Sequence, residues 1–310
     1  MEIEQDINRN ESVDVNNTQS SLTSGQASSD LISLSNLLRF FSAPQRYFLE
    51  NTLGIHLKDQ GETLDDCEPF CLDYLENYNL KDEMLNRMIK GSDIKIDTYR
   101  AKGVLPHGTA GAAFFEDTVN KVKAFYTKIN QYVAQGRSES IEVDITGNGW
   151  RLKGIVADIW GDRLVRFRIA SVKPKDILRA WIIHLSCLCS PKCKIDINST
   201  LLIGSDKHCY FTTPEEPLAI LDSLIKLYKH GIKTPLRFFP AASKVYAEGK
   251  GIEKAEKEFQ GNNISYTSNA EGQSEEVKLC FRHLETPLDN EFCSLSNSVW
   301  LPVIEHLECN

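Results

Sequence analysis

Apolar and polar positions alternate three times in quick succession between residues 139 and 171. "SIEVDITGNGWRLKGIVADIWGDRLVRFRIAS" holds three runs of period two, separated by "GNG" and "WGD". That is the pattern of half-buried strands joined by tight turns, and it predicts a meander of three antiparallel strands. Helical spacing dominates before it. "LSNLLRFFSAPQRYFLENTLGI" predicts two helices broken at Pro44, a residue suited to the first turn of the second. Residues 68–90 predict two more helices, ending at Gly91, and residues 92–103 another. A long amphipathic helix is expected from the N-cap candidate Thr109 to Gln135. After Pro174 an apolar helix covers 177–189. Strands are expected at 194–203 and 208–211, a helix at 215–230, and a proline-bounded loop at "TPLRFFP". The remainder reads as helical, with a polar loop at 261–276.

Helices, three strands, a helix, a strand and a helix make an α+β arrangement. Residues 1–30 carry no aromatic residue and six acids against Arg9, so they are expected to be a disordered acidic tail or linker. The rest, 31–310, reads as one folded unit: a helical part at 31–135, a sheet core at 136–213 and a helical C-terminal part at 214–310.

The third strand of the meander raises the question of chemistry. In "LVRFRIAS", Val165, Phe167 and Ile169 share one face, and Arg166 and Arg168 share the other. The apolar set is expected to be buried and the arginines more exposed. The whole chain has a formal charge of −8, which is not the footprint of a nucleic-acid binder. Residues 151–180 nevertheless hold eight Lys/Arg against three Asp. Screening confines fields to roughly 8–10 Å in physiological salt, so a local basic face can act on an acidic protein. Arg166, Arg168, Lys173 and Lys175 are the candidate phosphate contacts; a face touching only water is the plain alternative, and an acidic partner surface a third.

No apolar run approaches the ~20 residues that span a bilayer. The polar, acidic start is neither a signal nor a transit peptide, and cytoplasm is the default location. Nine scattered cysteines fit reduced thiols better than a disulfide framework. His184, Cys187, Cys189 and Cys193, with His208 and Cys209 further on, invite a metal. However, Cys187 and Cys189 straddle a helix end, and two residues apart on a helix point about 200° away from each other. Buried thiols are the expectation. "DCEPFC" reads as a loop entering a helix. There is no Walker-type phosphate loop.

"LLRFFSAPQRYFL", "EPFCLDYLENYNL", "RAKGVLPHGTAGAAFFE", "TPLRFFP" and the Gly-Trp-Arg-Leu-Lys-Gly strand resemble the C-terminal domain of the gamma subunit of exodeoxyribonuclease V, the RecC family, over about residues 31–307. The resemblance implies a restriction-endonuclease-like (PD-(D/E)xK) nuclease fold that has lost its active site, with helical N-terminal and C-terminal additions. The helicase-like region that precedes this domain in the family is absent here, which suggests a fragment, a split reading frame or a piece made for expression. An active site of that type needs an acid on one strand and acid-x-Lys on the next, to hold Mg²⁺ and position water. Here the next strand offers Arg166-x-Arg168, and arginine neither ligates metal nor releases its proton. Ala157 stands near the first acid, and Asp158 is expected to serve the turn at Gly161-Asp162. Phe114 and Phe115 stand where related nucleases often carry a histidine.

The function so implied is a non-catalytic subunit domain that docks onto the beta subunit, and the alpha subunit with it, and helps guide split DNA strands during double-strand-break repair and recombination. Mg and ATP would be used by those partner subunits, with no cofactor in this chain and no membrane. The rigid apolar loop at Phe238 and Phe239 reads either as a packing plug or, with Tyr210, as a candidate for base stacking or strand guiding, and the Gly204–Lys207 turn as a candidate projecting hairpin. The rivals are a divergent metal-dependent nuclease using Glu116, Asp117 and Asp158, and an orphan fragment with no partner.

Overall fold

The computed structural model describes residues 30–57, 72, 74–133, 138–161, 163–193, 199–261 and 270–310. The expected tail up to residue 29, "DCEPFC", the start of the strand at 194 and most of the 261–276 loop lie outside the described residues. The three-strand meander is present: β2 (Glu139–Gly147), β3 (Trp150–Trp160) and β4 (Arg163–Phe167), each antiparallel to the next. Two flanking strands extend it. β5 (Ser199–Ile203) runs parallel to β4, and β6 (His208–Phe211) returns antiparallel to β5.

Two strands escape the hydrophobic pattern. β1 (Asp30–Ser33) pairs parallel to β3, with Ile32 opposite Leu152. β7 (Leu307–Cys309) pairs antiparallel to β6, with Cys309 opposite Cys209. β2 takes one edge of the long strand β3, so β1 and β4 share its other edge end to end. Seven described strands therefore form one mixed sheet.

Helices cover it unequally. α1 (Leu34–Ser42) places Leu34, Leu37, Leu38 and Phe41 at helical spacing toward the sheet, and α2 (Pro44–Asn51) begins at Pro44, where the missing N–H costs nothing. α3 (Tyr74–Ile89) and α4 (Ile96–Ala101) precede α5 (Gly108–Val133), the long amphipathic helix. α6 (Pro174–Cys189) is buried at nearly every position from Ile177 to Cys187, which explains why its sequence is apolar all round. α7 (Pro217–Gly231) follows β6. α8 (Pro240–Val245) continues into a π-turn at Tyr246–Lys250; α9 (Ile252–Gln260), α10 (Glu275–Phe281) and α11 (Asn290–Glu305) complete the chain.

Both faces of the sheet are covered at β4 and β5. Leu164 and Leu202 enter the larger core with α1, α6, α7 and α11. Val165, Ile169, Leu201 and Ile203 enter a second core with α3, α4 and α5, and Phe167 packs against it. Each such side chain contributes about 1.5–3 kcal/mol by leaving water. A third, smaller cluster joins α8, α9, α10 and α11 around Phe239 and Phe292. No described helix is long and apolar enough to cross a membrane.

Candidate nucleic-acid interface

The strand face opposite Val165, Phe167 and Ile169 is not a solvated face. α6 lies over it, and its arginines are partly buried and paired. The Arg166 side chain is 29% exposed and lies 3.4 Å from Asp158. Arg168, 19% exposed, donates to Asp176 on the first turn of α6 at 3.2 Å. Its guanidinium also lies over the Tyr78 ring of α3, 5.2 Å from the centroid, a cation–π contact. The Nε of Arg168 is buried with no hydrogen-bond partner.

The start of α6 gathers the other cations. Pro174 opens the helix, and Asp176 accepts from the Lys173 backbone N–H at 2.9 Å, closing the helix N-terminus. Lys173 and Lys175 flank that turn, and Arg179 lies one turn further on. Lys175 and Arg179 are both shifted to lower pKa, first by desolvation and then by a neighbouring cation, Lys173 for the one and Arg166 for the other. Asp176 offsets both. Five cations, Arg166, Arg168, Lys173, Lys175 and Arg179, thus stand around two carboxylates, Asp158 and Asp176, with the helix dipole adding to the positive field. Arg179 was countable in the basic stretch of sequence, but nothing there placed it beside Arg166.

Asp158 does not serve the turn at Gly161. It sits within β3 with a φ of 68°, a left-handed conformation that asparagine and aspartate tolerate better than most residues. The register slips here, from Ile141 opposite Val156 to Glu139 opposite Ile159, so residues 157–158 form a bulge. The bulge turns Asp158 to Arg166 while Ala157 is exposed. Of the other acids weighed for catalysis, Asp117 pairs with Lys121 at 2.6 Å and Glu116 is exposed on α5. Among the described residues no group of three or more His, Cys, Asp or Glu is placed to hold a metal ion.

Of the two readings of the Phe238–Phe239 loop, the structure shows the packing plug and not the base contact. Phe238 and Phe239 are each 1% exposed. Phe238 meets Phe41 in the larger core, and Phe239 meets Phe259, Phe281 and Phe292 in the third. Neither ring offers a face to a base; the loop is a packing plug that joins two cores. Tyr210 is half-buried on β6 against the second core and shares a hydrogen bond with Tyr132. The turn at 204–207 does not project. Ser205 donates its backbone N–H to Ala170 at 3.1 Å, and Asp206 accepts from the Val172 backbone at 2.8 Å, so the turn is tied to the segment after β4.

The histidine–cysteine group is likewise structural. His184 is fully buried, bonded to Thr200 at 2.8 Å, and burial pulls it down to about 4. Burial pushes the Cys187 thiol up to about 12 and Cys189 to about 11, so both are protonated and unreactive at neutral pH. The expectation of thiols throughout fails at one place: Cys209 and Cys309 form a disulfide between β6 and β7. Only the unforeseen strand β7 brings them together.

The model of the RecC C-terminal domain family matches residues 29–251. RecBCD enzyme subunit RecC of Escherichia coli K12 is 26% identical over 215 residues, 68% of this chain and 19% of that protein. The subunit of the same name from Mycobacterium tuberculosis H37Rv is 29% identical over 215 residues, 66% of this chain and 19% of that protein. The one from Buchnera aphidicola of Schizaphis graminum is 22% identical over 297 residues, 90% of this chain and 27% of that protein. The chain therefore spans 19% to 27% of the length of these relatives.

Proposed function

Because this chain belongs to the RecC C-terminal domain family, we propose that it is a non-catalytic domain of a RecBCD-type helicase–nuclease, contacting DNA through the cations around the start of α6. The observation that carries this is Arg166-x-Arg168. A nuclease strand would present acid-x-Lys there, and this strand presents two guanidinium groups that join Lys173, Lys175 and Arg179. A divalent cation would be repelled by that set, and a phosphate would be attracted. The restriction-endonuclease-type ancestry is the finer reading of the α+β fold. It is supported by the order of elements, by the bulge at 157–158 where the first acid would lie, and by a helix laid across the paired strands.

In this reading the chain works within a complex. Partners of the beta- and alpha-subunit type would use ATP and Mg²⁺, and this domain would position the DNA in double-strand-break repair and recombination. Phosphate contacts of this kind hold a strand without reading its sequence. The test replaces Arg166 and Arg168 by Gln together, which keeps length and polarity and removes two charges. Binding of labelled DNA by the full chain is then followed by fluorescence anisotropy across a salt series. The slope of log K against log salt should become shallower by up to about two units, near 0.9 per duplex phosphate and 0.7 per single-strand phosphate. An unchanged slope with the fold intact would sink the assignment.

A further inference from the structure

Between α3 and α5 lies a second feature that the arginine cluster does not use. It is a cleft of about 410 Å³, within the range of about 300–1,000 Å³ typical of small-molecule sites. α3 lines it with Tyr74, Asn77, Tyr78 and Lys81, and α5 with Lys121 and Lys128. On α3 the four are i, i+3, i+4 and i+7, and on α5 the two are i and i+7, so each set is one stripe of its helix. Leu80, Met84 and Leu85 of α3 pack in the second core with Val122 and Phe125 of α5.

The charges there are not balanced. Lys121 has Asp117 at 2.6 Å. Lys81 and Lys128 form no contact ion pair with a carboxylate among the described residues, although Asp117 acts on Lys81 from further off. Burial, and next the neighbouring Lys121, lower the proton affinity of Lys81. The amide oxygen of Asn77, in the same wall, is buried without a partner. Tyr74 is 69% exposed, and Tyr78 carries Arg168 over its ring. The cleft therefore adjoins the arginine cluster, with Tyr78 as the shared wall.

A ligand that fits must bring an anion for the unmatched ammonium groups and a flat apolar surface for the open tyrosine. We propose that the cleft holds one nucleotide of a single DNA strand, its phosphate held by Lys81, Lys121 and Lys128 and its base stacked on Tyr74. This rests on the DNA-contacting reading above and adds to it which form of DNA is bound. Bases inside a duplex are stacked on one another and cannot reach an aromatic side chain, whereas those of a single strand can. A free nucleotide brings the same two groups. Only a strand also reaches from the cleft to the phosphate contacts at Arg168.

The full chain is titrated with labelled single-stranded dT15 and, separately, with a labelled 15-base-pair duplex. Tyr74→Ala and the pair Lys81→Gln with Lys128→Gln are compared with the native chain, and Arg166→Gln with Arg168→Gln is run in parallel. Tyr74 is exposed, so its replacement leaves the thermal midpoint in place, which is checked first. Both cleft variants should weaken single-strand binding at least about fivefold and change duplex binding less than twofold. The lysine pair should also lower the single-strand salt slope by about 1.4. A loss confined to the arginine variant overturns the cleft proposal and leaves the DNA-contacting reading standing. Equal loss of single-strand and duplex binding in the cleft variants overturns the single-strand assignment. Displacement of dT15 by micromolar thymidine monophosphate shows a free-nucleotide site and overturns it too. No binding of either DNA by the native chain overturns both readings.

Discussion

Replacing Asp176 by Asn should lower stability and raise affinity for DNA at once. Asp176 makes two contacts. It accepts from the Lys173 N–H at 2.9 Å and from Arg168 Nη1 at 3.2 Å. Asparagine keeps an acceptor for the first, so the helix start survives. The second loses its charge. The two side chains are 16% and 19% exposed, which puts the effective dielectric nearer 20 than 80, and two unit charges at that separation then attract by about 5 kcal/mol before solvation is counted. Most of that is returned as the arginine regains water. A net cost of about 1–3 kcal/mol remains, within the span for part-buried ion pairs. DNA binding moves the other way. The cluster goes from five cations and two carboxylates to five and one. A phosphate about 6 Å from the lost carboxylate is relieved of roughly 0.3–1 kcal/mol at 0.15 M salt. Two such phosphates give about a three- to thirtyfold gain in affinity. Urea unfolding measures the first effect, and anisotropy titration at fixed salt the second. If the variant stays folded and binds DNA more weakly, Asp176 orients Arg168 rather than opposing the phosphates, and the electrostatic reasoning fails.

Two further substitutions probe the scaffold. Phe239→Ala should cost about 3–5 kcal/mol, because a fully buried ring among Phe259, Phe281 and Phe292 leaves a cavity; a loss under about 1 kcal/mol in urea unfolding would mean that the loop is not a plug. Glu271 accepts from the backbone N–H groups of Ala241 and Ala242, at 2.9 to 3.1 Å, and burial nevertheless pushes its carboxyl up to about 7. A raised acid stabilises the fold fully below about pH 4.5 and loses that contribution as pH rises to about 7, by up to about 3 kcal/mol. Glu271→Gln should therefore flatten stability against pH in that window. Identical pH profiles for the native chain and the variant would refute this.

The sequence revealed what local periodicity encodes. The meander, α5, α6 and the helical C-terminal part follow from spacing and turn residues, and the alternation in "LVRFRIAS" sorted Val165 and Ile169 from the arginines, whereas Phe167, expected to be buried, is only partly so. It hid what packing decides. β1 and β7 are four and three residues long, too short for a period, so the disulfide and these two strands of the sheet were invisible. A strand alternation also cannot tell a face covered by a helix from one covered by water, and so Arg166 and Arg168 are less exposed than expected. The cleft stripes were hidden for a third reason. Tyr74, Tyr78 and Lys81 read as an ordinary solvated helix face until α5 is placed opposite.

The late pairing of β6 sets a clock on folding. Its outer edge is sealed by β7, which lies 100 residues downstream at the disulfide. At a synthesis rate of about 5–20 residues per second, that row of backbone donors and acceptors waits roughly 5–20 s for its partner. β3 waits less, because β1 is made long before it and is already at hand when Leu152 emerges opposite Ile32. β6 is therefore the last strand of the sheet whose outer partner is synthesised. The exposed β6 edge is where a stalled or crowded chain would pair with a neighbour instead of with itself.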